Sequence, residues 1–242
     1  QLAGRPLLTA RNQLVLDLAR APVADYLFET LDCLLSSLPI SYLKWDHNRD
    51  IVTAGGVDGR AVYHQQIVAA YALIDRLRQA HPDVEIEACA GGGGRIDAGL
   101  AARTHRFWTS DCIDAVSRVR MQRGFLQYMP PELMGSHIGT APAHSTGRSQ
   151  SLDFRAAVAM AGHFGVEFNL LNLSPDALST VSQWVNFYKD WRHMLAGSVW
   201  TGEGADHVQW QANGMSGQWL LSIYRTGPSE MRYAPTLPLP FL

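Results

Sequence analysis

Polarity alternates along residues 40–46. In an extended chain, Tyr42, Lys44 and Asp46 share one face, while Leu43 and Trp45 share the other. This predicts a half-buried strand that runs into the charge cluster Asp46-His47-Asn48-Arg49-Asp50. Upstream, residues 13–18 predict a short, mostly buried strand. A helix follows with Val23, Leu27, Leu31 and Leu34 on one stripe. Residues 51–63 read as glycine-bearing loop, and 64–79 as a helix with Ile67, Tyr71, Ile74 and Leu77 inward and Arg76 and Arg78 outward. A strand over 84–89 leads into Ala90 and the run Gly91 to Gly94. Another, over 106–111, ends in an acid and is followed by a helix carrying Val116, Val119 and Arg120. Residues 129–150 are loop-rich, 154–164 form a small-residue helix and 166–170 a strand. Ser174-Pro175 opens a helix to about residue 195, since proline suits the first helical position.

Strands alternating with helices at this spacing imply a parallel sheet. The acids and glycines fall just after strands, on one face of it. About six βα units are legible, whereas a closed (β/α)8 barrel has eight. The expected fold is therefore α/β: an incomplete (β/α)8 TIM barrel over 1–196, its first strands upstream of Gln1. From 197 to 242 the start of an antiparallel β domain is expected, with strands at 208–211 and 219–224 and a turn at 213–217.

Of the 242 residues, 47% are hydrophobic and 17% charged, enough for a sizeable core. The formal charge of −2 is spread without runs, which argues against a nucleic-acid or membrane-surface partner. No apolar run has the length of a membrane span. Cys33, Cys89 and Cys112 show neither metal-ligand spacing nor a disulfide framework, so a reducing, cytoplasmic setting is expected. The chain starts at Gln1 and stops in Pro238-Leu239-Pro240-Phe241-Leu242, which reads as a piece of a longer protein.

A lysine and an aspartate together at the end of an apolar strand are costly to bury without purpose. Lys44 would favour the ionised form of Asp46. An ionised carboxylate at the C-terminal end of a barrel strand suits a sugar-cleaving nucleophile; the alternative is a strand-end salt bridge. Asp111 would share a face with Phe107 and Thr109 and leave its strand end as Asp46 does. A retaining glycosidase needs two such carboxyls about 5–5.5 Å apart. The alternative for Asp111 is a helix N-cap, a job that Asp114 suits better.

The Gly91 to Gly94 run fits neither phosphate motif, because Arg95-Ile96-Asp97 follows where glycine or Lys-Ser/Thr belongs. Glycines at a strand end would let a sugar approach the backbone. Cys89 has no local His/Asp set and reads as a pocket wall rather than a nucleophile. Glu87 shares its face, and a buried glutamate needs a partner, for which Lys44 is the candidate. Trp45 reads as packing, and Trp108 as either a sugar platform or core. His137 and His144 match no metal spacing, and no cofactor is expected.

Lys44-Trp45-Asp46-His47-Asn48-Arg49, the block Cys89 to Asp97, and Trp108-Thr109-Ser110-Asp111 resemble signature blocks of glycoside hydrolase family 36 α-galactosidases. Met134 to His137 with His144 to Arg148 is similar to a further block, and the order matches over nearly all of residues 5–195. The resemblance implies a catalytic TIM barrel between β domains. It also implies retaining hydrolysis of terminal α-galactosides such as melibiose or raffinose, without a cofactor. It makes Asp46 the nucleophile after barrel strand four and Asp111 the acid/base after strand six. Lys44, Cys89, Gly91 and Trp108 would line the galactose pocket, with Asn48 nearby, and the full-length form would be a homo-oligomer. Ala88 and Ala90 around Cys89 depart from the family's usual serines, and Cys112 and Ile113 replace a polar residue and threonine. Other outcomes left open are a non-catalytic carbohydrate-binding piece, galactosyl transfer, and a preference for N-acetylgalactosamine.

Overall fold

The alternation read at 42–46 is realised as strand β1, Tyr42–Asp46. It pairs in parallel with β2, Glu85–Cys89, placing Lys44 opposite Glu87 and Asp46 opposite Cys89. Leu43 and Trp45 turn the other way, onto a cluster built from Leu35, Leu73, Leu77 and Val84. Helices α1, Ala21–Ser37, and α2, Tyr63–Ala80, supply that cluster. The computed structural model describes residues 8–10, 12–52, 54–56, 58–233 and 235–240. The chain divides into two compact units, the first ending at His105 and the second beginning at Arg106.

Two helical stripes in the first unit keep Leu27, Leu31, Ile74 and Leu77 where they were expected and depart from expectation at one end each. In α1 the packed residues step through Leu27, Leu31 and Leu35, and Leu34 is left 42% exposed. In α2 Leu73 joins Ile74 and Leu77 in the core and Ile67 is exposed. The strand expected over 13–18 does not form: Gln13 makes an isolated bridge to Ala10, and Leu14 and Leu16 are half exposed. A side chain takes the place of a neighbouring strand there. Gln66 accepts from the Leu18 N–H (2.8 Å) and donates to the Leu16 carbonyl (3.0 Å). This satisfies backbone groups that would otherwise seek a ladder. The short helix α3, Ala98–Ala101, is capped by Asp97.

The second unit contains three parallel strands: β3, Arg106–Trp108; β4, Met134–Ile138; and β5, His163–Val166. The described residues thus hold five parallel strands rather than about six. Helices α4, Ala115–Phe125; α5, Leu152–Ala159; and α6, Pro175–Trp191 alternate with them. Two expectations fail here for one reason. Met134-Gly135-Ser136-His137-Ile138 has little β-propensity and read as loop, yet it is a central strand. The strand expected at 166–170 starts three residues earlier, and Leu170–Asn172 is a 3-10 turn. Tertiary contacts decide both places, and close packing against β4 selects the glycines at β5. A Cβ at Gly162 would lie 2.3 Å from the Met134 carbonyl oxygen, and one at Gly165 2.5 Å from the His137 ring.

After Gly197 the chain forms an antiparallel sheet in the order β6, Ser198–Glu203; β7, Val208–Met215; β8, Gln218–Arg225. The turn is tighter than expected. Asn213, Gly214 and Met215 remain in β7, and only Ser216 and Gly217 turn, with φ of 53° and 80°. Both residues are left-handed, as a two-residue hairpin of primed type requires. The protein is therefore α/β, with parallel strands alternating with helices as in part of a (β/α)8 barrel, followed by an antiparallel sheet. No helix among the described residues is long and apolar enough to cross a membrane.

Two glycines should respond to alanine with opposite signs. Gly162→Ala drives a methyl group into backbone and should destabilise by about 1–3 kcal/mol. Gly124→Ala, exposed within α4 with nothing near its would-be Cβ, should stabilise by about 0.5–1 kcal/mol. Denaturant titration of each variant against the parent protein checks both signs.

Candidate active site

In the first unit a carboxylate stands at the end of β1 with donors arranged around it. The Asn48 side-chain amide donates to Asp46 Oδ2 at 2.7 Å. The same side chain accepts from the Gly91 N–H at 2.5 Å. Asn48 therefore ties the glycine turn after β2 to the acid after β1. That turn needs left-handed backbone at Gly91 (φ 58°) and Gly92 (φ 80°), which L side chains resist. The two strand ends are also joined through backbone. His47 N–H donates to the Cys89 carbonyl, and the Arg95 guanidinium donates to the carbonyls of His47 and Arg49, each at 2.5 Å.

Cys89 is buried beside Asp46. Burial pushes its thiol up to about 11, a hydrogen bond with Asp46 adds to the rise, and a hydrogen bond from the Gly92 backbone opposes it. The thiol stays protonated at neutral pH, which removes it as a nucleophile and makes it a wall of the site. His47 is pulled below its ordinary value, first by burial and then by the positive charge of Arg95. Behind Asp46 on the same face, Glu87 is fully buried, as expected for a glutamate on that face. Tyr42 Oη donates to Glu87 Oε2 at 2.5 Å, and Lys44 Nζ lies 3.4 Å from Oε1. The partner expected for Glu87 is thus Lys44.

The second acid is placed differently. Strand β3 ends at Trp108, so Asp111 lies in the following loop rather than on the pleat with Phe107 and Thr109. It is exposed, and the Trp108 indole N–H donates to its Oδ1 at 3.1 Å. Trp108 itself is 2% exposed. Its ring stacks on His137 at 4.4 Å, and the Arg118 guanidinium lies 4.5 Å from its centre. This burial fits a support for Asp111 better than an open stacking face for a sugar. Arg118 also donates to the carbonyls of Ser110 and Gly135, each at 3.0 Å, which fixes the loop between them.

Asp114 takes the N-cap role read from its position. It accepts from the N–H groups of Val116 (2.9 Å) and Ser117 (3.2 Å) at the start of α4. Its buried carboxylate also receives Thr146 Oγ1, and Arg148 Nε at 2.5 Å. Burial alone would raise its pKa, but these donors outweigh it and hold the group below the usual carboxylate range. Asp114 thus pins the 139–148 loop to the helix that follows Asp111.

Of the residues predicted for the site, Lys44, Asp46, Asn48, Cys89 and Gly91 come together in the first unit, and Trp108 and Asp111 in the second. A cavity of about 230 Å³ in the first unit is lined by Leu14, Leu16, Arg49, Val52 and Gln66 among others, and by none of the predicted site residues. Sequence reasoning missed Tyr42, Arg95, Arg118 and Arg148. Signals were present for all four: Tyr42 shares the strand face of Lys44 and Asp46, Arg95 and Arg148 fall inside the blocks quoted above, and Arg118 lies four residues after Asp114 on the face of α4 that also carries Gln122.

Comparison with known proteins matches the Melibiase family over residues 1–197. An alpha-galactosidase of Escherichia coli is 42% identical over 193 residues, which is 79% of this chain and 27% of that protein. Alpha-galactosidase C of Emericella nidulans is 44% identical over 167 residues, 69% of this chain and 22% of that protein. The chain thus spans about a quarter of these relatives' length. The crystal structure of the GH36 alpha-galactosidase AgaA from Geobacillus stearothermophilus superposes with a TM-score of 0.82 at 35% identity, over 87% of this chain and 30% of that one. A variant of that enzyme, solved with raffinose, gives a TM-score of 0.83 over the same shares of the two chains.

The Asp114 knot yields a pH-dependent prediction. A folded-state pKa held below the unfolded one adds stability above the unfolded value, and that stability is lost as pH falls through the folded value. Asp114→Asn should cost about 1–3 kcal/mol at pH 7, and the gap to the parent should narrow below about pH 4. Urea unfolding at the two pH values measures it.

Proposed function

Because this chain belongs to the Melibiase family, we propose that the whole protein is a retaining α-galactosidase acting on terminal α-galactosides of the melibiose or raffinose type. The raffinose complex of the AgaA variant supports that substrate class. The observation that carries the reading is the setting of Asp46: an exposed carboxylate at the end of a parallel strand, oriented by Asn48 and flanked by a protonated Cys89. That is the chemistry of a preorganised nucleophile. Residues 1–196 would belong to the catalytic barrel, and 197–242 would begin a C-terminal β domain.

In the first step Asp46 attacks the anomeric carbon while protonated Asp111 donates to the leaving oxygen. In the second, Asp111 takes a proton from water, which displaces Asp46 and releases galactose with its configuration retained. Lys44, Asn48, Cys89 and Gly91 would contact the sugar around the nucleophile, and Trp108 would steady Asp111. This chemistry uses carboxylates alone and calls for no metal or organic cofactor.

In the full-length protein, Asp46→Ala should abolish hydrolysis of an activated aryl α-galactoside. Added azide should restore turnover and yield a galactosyl azide of inverted anomeric configuration, identified by NMR. Wild-type turnover in that variant would overturn the assignment.

A further inference from the structure

Glu87 presents a problem that the proposed reaction does not use. Its side chain is wholly buried, in the middle of β2, directly opposite Lys44 in the parallel register. Burying a carboxylate is expensive, by several kcal/mol even after the surroundings relax. One oxygen is served by Tyr42 Oη at 2.5 Å. The other, Oε1, has no hydrogen-bond partner among the described residues, and its compensation is the Lys44 ammonium at 3.4 Å. The Lys44 side chain is 35% exposed whereas that of Glu87 is wholly buried, so the pair joins a solvent-accessible ammonium to a buried carboxylate.

Stability does not account for this arrangement. Apolar residues of similar volume commonly serve a core as well as a buried ion pair, or better. A positional purpose does account for it. Residues two apart on a strand are about 6.6 Å apart along it, so the Asp46 carboxylate is the next anion up the same face from Lys44. Without Glu87, the ammonium would be drawn onto Asp46, neutralising the nucleophile and vacating its own place.

We propose that Glu87 is a positioning residue of this site: a buried carboxylate, steadied by Tyr42, that holds the Lys44 ammonium down and away from Asp46, at the height where it meets the sugar. This rests on the α-galactosidase reading above and adds to it a residue that touches neither substrate nor reacting atoms.

The test is a double-mutant cycle in the full-length protein with p-nitrophenyl α-galactopyranoside, reading kcat and KM separately. Glu87→Gln keeps the shape and an acceptor for Tyr42 but removes the charge. Lys44→Gln and Glu87→Gln should each raise KM by about tenfold or more, with kcat changed less. The double variant should lie within about threefold of Lys44→Gln alone, because Glu87 acts only through Lys44. Losses that multiply, or a fall in kcat with KM unchanged, would overturn the proposal. If Glu87→Gln alone does not fold, Glu87→Asp, which keeps the charge but draws it back from Lys44, takes its place in the cycle, and an unchanged KM in that variant overturns the proposal. Failure of the parent reading would show elsewhere, as turnover surviving Asp46→Ala, and would take this proposal with it. Additivity together with a dead Asp46→Ala variant would remove the role of Glu87 and leave the enzyme assignment standing.

Discussion

The parallel register of β1 on β2 is the constraint from which the first half of the candidate site follows. It sets Lys44 across from Glu87 and Asp46 across from Cys89, all on one face. The opposite face carries Leu43 and Trp45 into the cluster around Leu35, Leu73 and Leu77. A strand has a side-chain period of two, so a slip of one residue would turn the charges into that cluster and the aromatic ring into the site. The apolar face thus protects the polar one. The packing energy of that cluster, on the order of 1.5–3 kcal/mol for each large side chain fully buried and less for the partly buried Leu43 and Trp45, holds the carboxylate at the strand end. Asn48 and the left-handed Gly91 then fix where that carboxylate can point.

The second unit reaches a comparable result by other means. Asp111 gains nothing from a pleat, because β3 stops three residues before it. Its surroundings are a knot of side chains. Trp108 donates to it, Arg118 clamps the loop carbonyls, and Asp114 joins the start of α4 to Thr146 and Arg148. Ile113 is buried against Gly139, where even a methyl group would come within 2.6 Å of its Cβ. The departures at 112 and 113 therefore differ in kind. Ile113 is a packing residue, whereas Cys112 faces Ser145 Oγ at 3.3 Å beside the exposed acid.

Legibility in the sequence followed how local the determinants were. The 42–46 strand was readable because its two faces have opposite polarity, and the Asp114 cap because capping chemistry is local. The pairing of Glu87 with Lys44 followed from burial and a shared face. Strand β4 was illegible because Gly135, Ser136 and His137 are chosen by tertiary contacts: Gly135 accepts from Arg118, and His137 lies between Trp108 and Gly165. Propensity has nothing to say about such contacts. The opposite error arose at 13–18, where an apolar run read as strand but Gln66 had taken over the backbone's hydrogen bonds. Sites such as Arg148, reaching Asp114 across 34 residues, leave no periodic trace at all.

The two acids are held with unequal rigidity, and the proposed chemistry gives that inequality a reason. A nucleophile makes and breaks one bond at one carbon, so its oxygen gains from being fixed by a strand, an amide and a neighbouring thiol. An acid/base must give a proton to a departing oxygen and later take one from a water that arrives near the same place. Among the described residues the exposed loop carboxyl of Asp111 receives the Trp108 indole N–H on Oδ1, which leaves Oδ2 available for both tasks. A buried, multiply bonded carboxylate such as Asp114 would be poorly suited to that work, since its donors stabilise only the ionised form. Geometry therefore sorts the neighbouring acids 111 and 114 into a candidate proton carrier and a structural anchor, although the residue type is the same.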